Sequence, residues 1–411
     1  MTFASFPLDH GQLVVAAATR PELRSFVLVL LASTLGAFFS RLSGRIVLPT
    51  VVVEIVLGMV IGPDVLDIAH VNQYVTVFSN IGLAFLFFFA GIEVVEERVA
   101  QRALRLGTGG WIISLVIGLV LGAVLQQAGL DAEWWLLGVA LCTTALGTLV
   151  PILSDARLLS TPFGSAVLGT GVAGEFWPII FISVFLTGVY GAGAEVLLLF
   201  GFGTIVMLAA TAVLRARPSR VVRILQETVH TSGQTAVRAS ILLLATLVLL
   251  ASNAGFEFVL GAFAAGLVVG LALDSREGKL VRLRLEGIGF GFVIPIYFVV
   301  TGMNFDLNSL LTVTGLTLGA LFLALFLVVR GASALLWLRD LEPRQLVGLA
   351  LCGATGLPLI AAIVGIATER EAISSSVGAS LVGAGMISVL VYPFIATRLV
   401  SPPPEPAADG A

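Results

Sequence analysis

Residues 142–151 read CTTALGTLVP: two threonines, a glycine, a third threonine and a proline inside an otherwise apolar run. Such a run should be a membrane helix, yet proline removes a backbone donor and clashes with the preceding turn. Glycine supplies no side chain to hold the helix, and the hydroxyls of Thr143, Thr144 and Thr148 can bond the backbone groups that are released. Residues 352–359, CGATGLPL, repeat the pattern. Non-helical backbone inside a membrane is tolerated only where it is buried in protein or lines a cavity. Half-helix ends and free carbonyls then become ion ligands. Each stretch alone also fits an ordinary proline kink. As a matched pair they predict two discontinuous helices, broken by Gly147 and Pro151 in one and by Gly353, Gly356 and Pro358 in the other.

The match extends outward from these stretches. Gly58 and Gly62 correspond to Gly266 and Gly270, Gly91 to Gly302, and Gly164, Gly169 and Gly171 to Gly378, Gly383 and Gly385. The offset stays at about 210 residues throughout. Glycine-rich spans match by chance now and then; four matches in order at one offset do not. With about six spans per half and a seventh between them, the copies must insert with opposite topology, the inverted repeat of secondary transporters.

Composition gives the solvent. Of the 411 residues, 58% are hydrophobic and 11% charged, and the mean hydropathy is +1.07. Soluble domains are about a quarter charged, so a water-soluble globule is excluded. Apolar runs of roughly 20 residues recur, long enough to cross a bilayer, and period-two alternation is absent, which argues against a β-barrel. The expected fold is an all-α polytopic membrane protein. Cys142 and Cys352 sit in apolar runs and suit neither a disulfide nor a zinc site. No Walker motif, nucleotide loop, DNA-binding motif or Ser/His/Asp arrangement appears. A transporter is expected rather than an enzyme, with no cofactor and no nucleic-acid partner.

About thirteen spans emerge on a hydropathy window, near 26–42, 46–62, 75–93, 107–128, 133–153, 163–188, 194–214, 236–253, 256–273, 287–303, 309–337, 344–366 and 375–397. Basic residues concentrate in odd-numbered loops, from Arg41 and Arg45 to Arg339 and Arg344. Even-numbered loops carry acids such as Asp64, Asp131, Glu195, Glu257 and Asp306; only Arg370 breaks the alternation. Positive charge stays inside, so the N-terminus is expected outside and the C-terminus in the cytoplasm. The organisation read from this is an outer N-terminal segment (1–25), a first repeat with a linking helix (26–214) and a cytoplasmic connector (215–235). A second inverted repeat (236–398) and a disordered tail (399–411) follow. The connector reads as an amphipathic helix on the membrane surface.

The charges that remain inside spans are few. Glu175, in LGTGVAGEFWPIIFISVF (168–185), lies about the middle of the sixth. A charge there costs roughly 2.5–3.5 kcal/mol on insertion scales. It avoids that cost by binding a proton or a monovalent cation, and a carboxylate that swaps one for the other couples the two fluxes. Arg330 cannot deprotonate; it either pairs with an acid such as Glu175 or caps carbonyls of the broken helices, and the second reading is preferred. Glu54 suits a protonated packing position or a transport role. Glu93, Glu96 and Glu97, at a span end beside Arg98, read as a solvated cluster.

At LPTVVVEIVLGMVIGP (48–63), NIGLAFLFFFAGIEV (80–94), CTTALGTLVPIL (142–153), the Glu175 segment, VLGAFAAGLVVG (259–270) and PIYFVVTGMNFDL (295–307), the sequence resembles the monovalent cation:proton antiporter-2 family. The resemblance implies a core domain with two crossing broken helices, a dimerisation domain, a homodimer in the inner membrane and elevator-like alternating access. It places Glu175 at the family's ion-binding carboxylate and Arg330 at its intramembrane basic position, with Thr143, Thr144 and Thr355 in the crossing as ion- and proton-binding candidates. Family members usually carry Asp where this chain has Glu175, preceded by Asp, Asn or Gln; here the neighbour is Gly174. Losing that second acid suggests electroneutral, one-for-one exchange of Na+ or K+ for H+. A sodium-coupled solute symporter and a non-transporting subunit or sensor are the alternatives on the same fold.

Overall fold

The computed structural model describes residues 21–42, 49–96, 101–185, 234–273 and 276–400, with a few positions between 201 and 211. Most of the expected seventh span, the connector helix at 216–233 and the C-terminal tail lie outside the described residues. All regular elements among the described residues are helical. They are α1 (Pro21–Leu42), α2 (Thr50–Ile61), α3 (Gln73–Glu96), α4 (Gln101–Gln127), α5 (Trp134–Ala140), α6 (Leu146–Asp155), α7 (Pro162–Phe185) and α8 (Thr235–Asn253). There follow α9 (Phe258–Ala272), α10 (Arg276–Ile288), a π turn (Gly289–Val293), α11 (Ile294–Met303), α12 (Leu307–Leu310), α13 (Val313–Ala334), α14 (Pro343–Gly353), α15 (Pro358–Glu369) and α16 (Ser375–Val400). Nine helical stretches among the described residues are long and apolar enough to cross a membrane. The tenth expected span begins earlier than its hydropathy suggests, because α10 runs into it through the π turn.

The chain divides into two compact units, residues 1–83 with 287–307 and residues 84–286 with 308–411. In the first, Val29, Ala32, Val75, Ile296, Val299 and Met303 form a buried core. Glu54 is buried there too, and a Cβ on Gly36 would lie 2.7 Å from its Cγ. In the second, a short antiparallel bridge between Ala132 and Ile373, with the N–H of Glu133 donating to Ala372 O (2.9 Å), ties the start of α5 to the end of α15. Arg370, the basic residue that broke the charge alternation, forms an ion pair with Glu257 beside this bridge.

The repeat explains the glycines. In the first unit a Cβ on Gly58 would stand 2.0 Å from Val299 O and 3.0 Å from the Gly302 Cα. In the second unit a Cβ on Gly266 would stand 2.0 Å from Phe88 O and 3.0 Å from the Gly91 Cα. Gly58 matches Gly266 and Gly302 matches Gly91, so one contact is the image of the other with the repeats exchanged. Each unit therefore takes one of the two helices at this contact from each half of the chain. Without hydrophobic drive between helices in lipid, such close backbone approach supplies the packing. Gly58→Ala and Gly266→Ala should each destabilise the purified protein by about 1–3 kcal/mol or more, because neither facing carbonyl can yield. Thermal unfolding in detergent measures it, and an unchanged melting temperature for either variant would remove the contact from the account.

Candidate functional site

The site lies in the second unit, where α5 unwinds over residues 141–145 before α6, and α14 over 354–357 before α15. The two breaks satisfy each other. The N–H of Ala145 donates to Thr355 O (2.7 Å), and the N–H of Thr144 to Gly174 O (3.0 Å). The Thr144 hydroxyl donates to Gly353 O (2.6 Å), and those of Thr143 and Thr355 to Ala140 O (3.0 Å) and Leu351 O (3.1 Å). All three threonines are buried. Ser388 on α16 accepts from the Gly356 N–H at 3.3 Å. A Cβ on Gly356 would stand 2.9 Å from the Thr143 hydroxyl, so only glycine lets the breaks close on each other.

The proposed breakers fall in different places. Gly353 ends α14, Gly356 lies in the second break and Pro358 opens α15, where a proline's missing donor is harmless. Gly147 sits in the first turn of α6 and position 151 lies within that helix. The first break precedes them, and hydroxyl-to-backbone bonds of Thr143 and Thr144 accompany it.

Glu175 sits on α7, half-buried, its Oε2 enclosed and without a hydrogen-bond partner. The backbone N–H of Leu146, the first residue of α6, is its hydrogen-bonding neighbour. Glu93 on α3 acts on it electrostatically. A Cβ on Gly147 would meet the Glu93 carboxyl oxygens at 3.3 and 3.4 Å. Two carboxyl groups thus converge on the first turn of α6, where free N–H groups and the positive end of the helix dipole attract negative charge. This corrects the reading of Glu93 as part of a solvated cluster. Next to Glu175, Phe176 packs its ring 5.5 Å from that of Phe263, and Trp177 stacks on Trp111 at 6.0 Å.

Arg330 on α13 is wholly buried. Its Nε donates to the Thr144 hydroxyl (3.0 Å) and Gly353 O (3.2 Å), its Nη2 to Thr170 O (3.0 Å) and its Nη1 to the Ser114 hydroxyl (3.4 Å). None of these acceptors is a carboxylate. The guanidinium joins α4, α7 and both breaks, and it meets the negative end of α14 at Gly353. A Cβ on Gly174 would stand 2.8 Å from Nη2 and 2.5 Å from the Thr144 hydroxyl. Arg330 and Thr144 together occupy the space a side chain at 174 would need, which accounts for the glycine.

Comparison with known proteins agrees in scope. A family model described as "Sodium/hydrogen exchanger, transmembrane" matches residues 27–401. The chain is 26% identical over 388 residues to the putative Na(+)/H(+) antiporter YjbQ of Bacillus subtilis, covering 88% of this chain and 61% of that one. It is 25% identical over 392 residues to the Na(+)/H(+)-K(+) antiporter GerN of Bacillus cereus, covering 92% of this chain and 93% of that one. In fold it resembles the sodium proton antiporter MjNhaP1 of Methanocaldococcus jannaschii, with a TM-score of 0.66 at 19% identity over 92% of this chain and 99% of the other.

Proposed function

The chain belongs to the sodium/hydrogen exchanger family, and we propose that it exchanges a monovalent cation, Na+ or K+, for protons across the inner membrane, with Glu175 holding each in turn. The observation that carries this reading is the Glu175 carboxyl group: one oxygen enclosed and unpartnered, a helix N-terminus facing it and Glu93 at its side. Binding a proton or binding a cation each relieves the burial cost, so the two compete for the same oxygens.

The neighbouring carboxylate refines the stoichiometry. Two such groups resist being ionised together, so the pair holds one proton or one cation between them. Exchanging these leaves the charge of the site unchanged, which favours the electroneutral, one-for-one cycle. The hydroxyls of Thr143, Thr144 and Thr355 keep acceptor lone pairs after donating to carbonyls and are the candidate further ligands. Arg330 compensates helix-end carbonyls and fixes the crossing. The K+ in the name of GerN favours keeping that ion beside Na+.

Alternating access of the elevator type, in a homodimer with its N-terminus outside, completes the proposal. It is favoured by the charge alternation of the loops, by the family resemblance and by the confinement of the whole site to one of two compact units. Purified protein in proteoliposomes with a pH-sensitive dye tests it: adding Na+ or K+ should move protons without net current. Protein that moves none with either cation, or that needs an organic solute, would remove the reading.

A further inference from the structure

Many helical glycines among the described residues are explained by a backbone that touches theirs; Gly287 and Gly291, like Gly201, Gly203 and Gly365, are not. Nothing lies within 4 Å of a Cβ built on either. Yet both sit in one continuous helical run, α10 to α11, where glycine is the poorest ordinary helix former. Three further observations meet here. The run is α-helical on both sides of a π turn at Gly289–Val293, in which the N–H of Ile294 bonds to Gly289 O, five residues back. The next residue, Pro295, has no N–H, so the carbonyl of Gly291 lacks its α-helical partner. The border between the two compact units falls between Glu286 and Gly287. Single π turns inside helices concentrate at functional positions, and kinks have such local causes.

We propose that Gly287–Val293 is the hinge at which this helix bends when the unit carrying Glu175 moves during the exchange cycle. The inference rests on the exchange reading above and adds the device that permits the motion. Two glycines keep the backbone soft, the Gly291 carbonyl already lacks its α-helical hydrogen bond, and the proline prevents the turn from relaxing into regular α-helix. Open space around Gly287 and Gly291 means that stiffening them meets no steric obstacle.

That openness gives the test. Gly287→Ala with Gly291→Ala should fold, with an unchanged or raised melting temperature. Each alanine favours the straight helix by about fivefold, so turnover in proteoliposomes should fall by roughly tenfold or more while the apparent KM for the cation stays put. Pro295→Ala, which restores the missing donor, should slow turnover in the same way and serves if the glycine pair fails to fold. Undiminished turnover in the alanine variants overturns the hinge. So does a loss of turnover that tracks a change in oligomeric state by chemical cross-linking, because Gly287 and Gly291 are also spaced as two packing membrane helices require. Wild-type protein that moves no protons would instead remove the exchange reading, and the two failures are thereby told apart.

Discussion

Glu175→Gln abolishes cation-dependent proton movement: in proteoliposomes the dye signal on adding Na+ or K+ should fall to that of protein-free vesicles. The amide has nearly the same shape but neither binds a proton at working pH nor offers a charged oxygen to a cation, so both halves of the cycle stop together. Folding should survive, because a neutral group at that depth is easier to bury than a charged one. The melting temperature of the variant in detergent should equal or exceed that of the wild type. Glu175→Asp keeps the charge but withdraws it from the first turn of α6 and from Glu93. Exchange should persist with a changed KM and cation preference. A Gln variant that still exchanged would move the ion site elsewhere, with Glu93 and then Glu54, half-buried and buried acids of described helices, the next to test.

Arg330→Ala should damage the fold itself. The substitution removes charge-assisted hydrogen bonds to Thr170 O and to Gly353 O, which keeps only the Thr144 hydroxyl, and each such bond is worth about 1.5–3 kcal/mol. The cavity left by the side chain adds a further penalty, about 2–5 kcal/mol for large-to-small changes in a core. Removing the charge from the membrane returns only about 2.5–3.5 kcal/mol, so the losses prevail and the melting temperature should drop. Arg330→Lys, which keeps the charge with fewer directed donors, should fall between. The double variant Arg330→Ala with Glu175→Gln separates two roles. Were the arginine a partner of Glu175, neutralising the acid would restore stability; with the acceptors seen here, it should restore none. Recovery in the double variant would show that the guanidinium serves the carboxylate rather than the crossing.

The sequence made the discontinuous helices legible because their causes are local. Thr143, Thr144, Gly353, Gly356 and Pro358 act on backbone within a few residues of themselves, and a proline or hydroxyl carries that effect in its own chemistry. The first break still lies before Gly147 and Pro151, since composition alone does not tell a proline inside an intact turn from one at a rupture. The repeat was legible because glycine is the one residue that permits helices to touch backbone to backbone, so a shared contact left a shared spacing. Glu93 was misread for the opposite reason. Its neighbour Glu175 is about 80 residues away in sequence, and only the placement of α3 against the start of α6 brings them together. The π turn was invisible because Gly289–Val293 continues the apolar run of α11 without a break, and hydropathy does not register which carbonyl an N–H selects. The reason for Gly174 lay in a side chain from another helix, Arg330, and could not be read from its own neighbours.

The interlaced glycine contacts bear on how the chain comes to be assembled. Gly58 meets Gly302, roughly 240 residues downstream, so α2 enters the bilayer long before its partner leaves the ribosome. Gly91 must likewise wait for Gly266. Neither half can reach its final form in advance of the other, and a fragment ending at the connector would hold helices whose glycine faces stay open to lipid. Maturation is thus a late, concerted closure of the finished polypeptide, and the early helices must linger in the membrane, inserted but unmated, until the second half arrives.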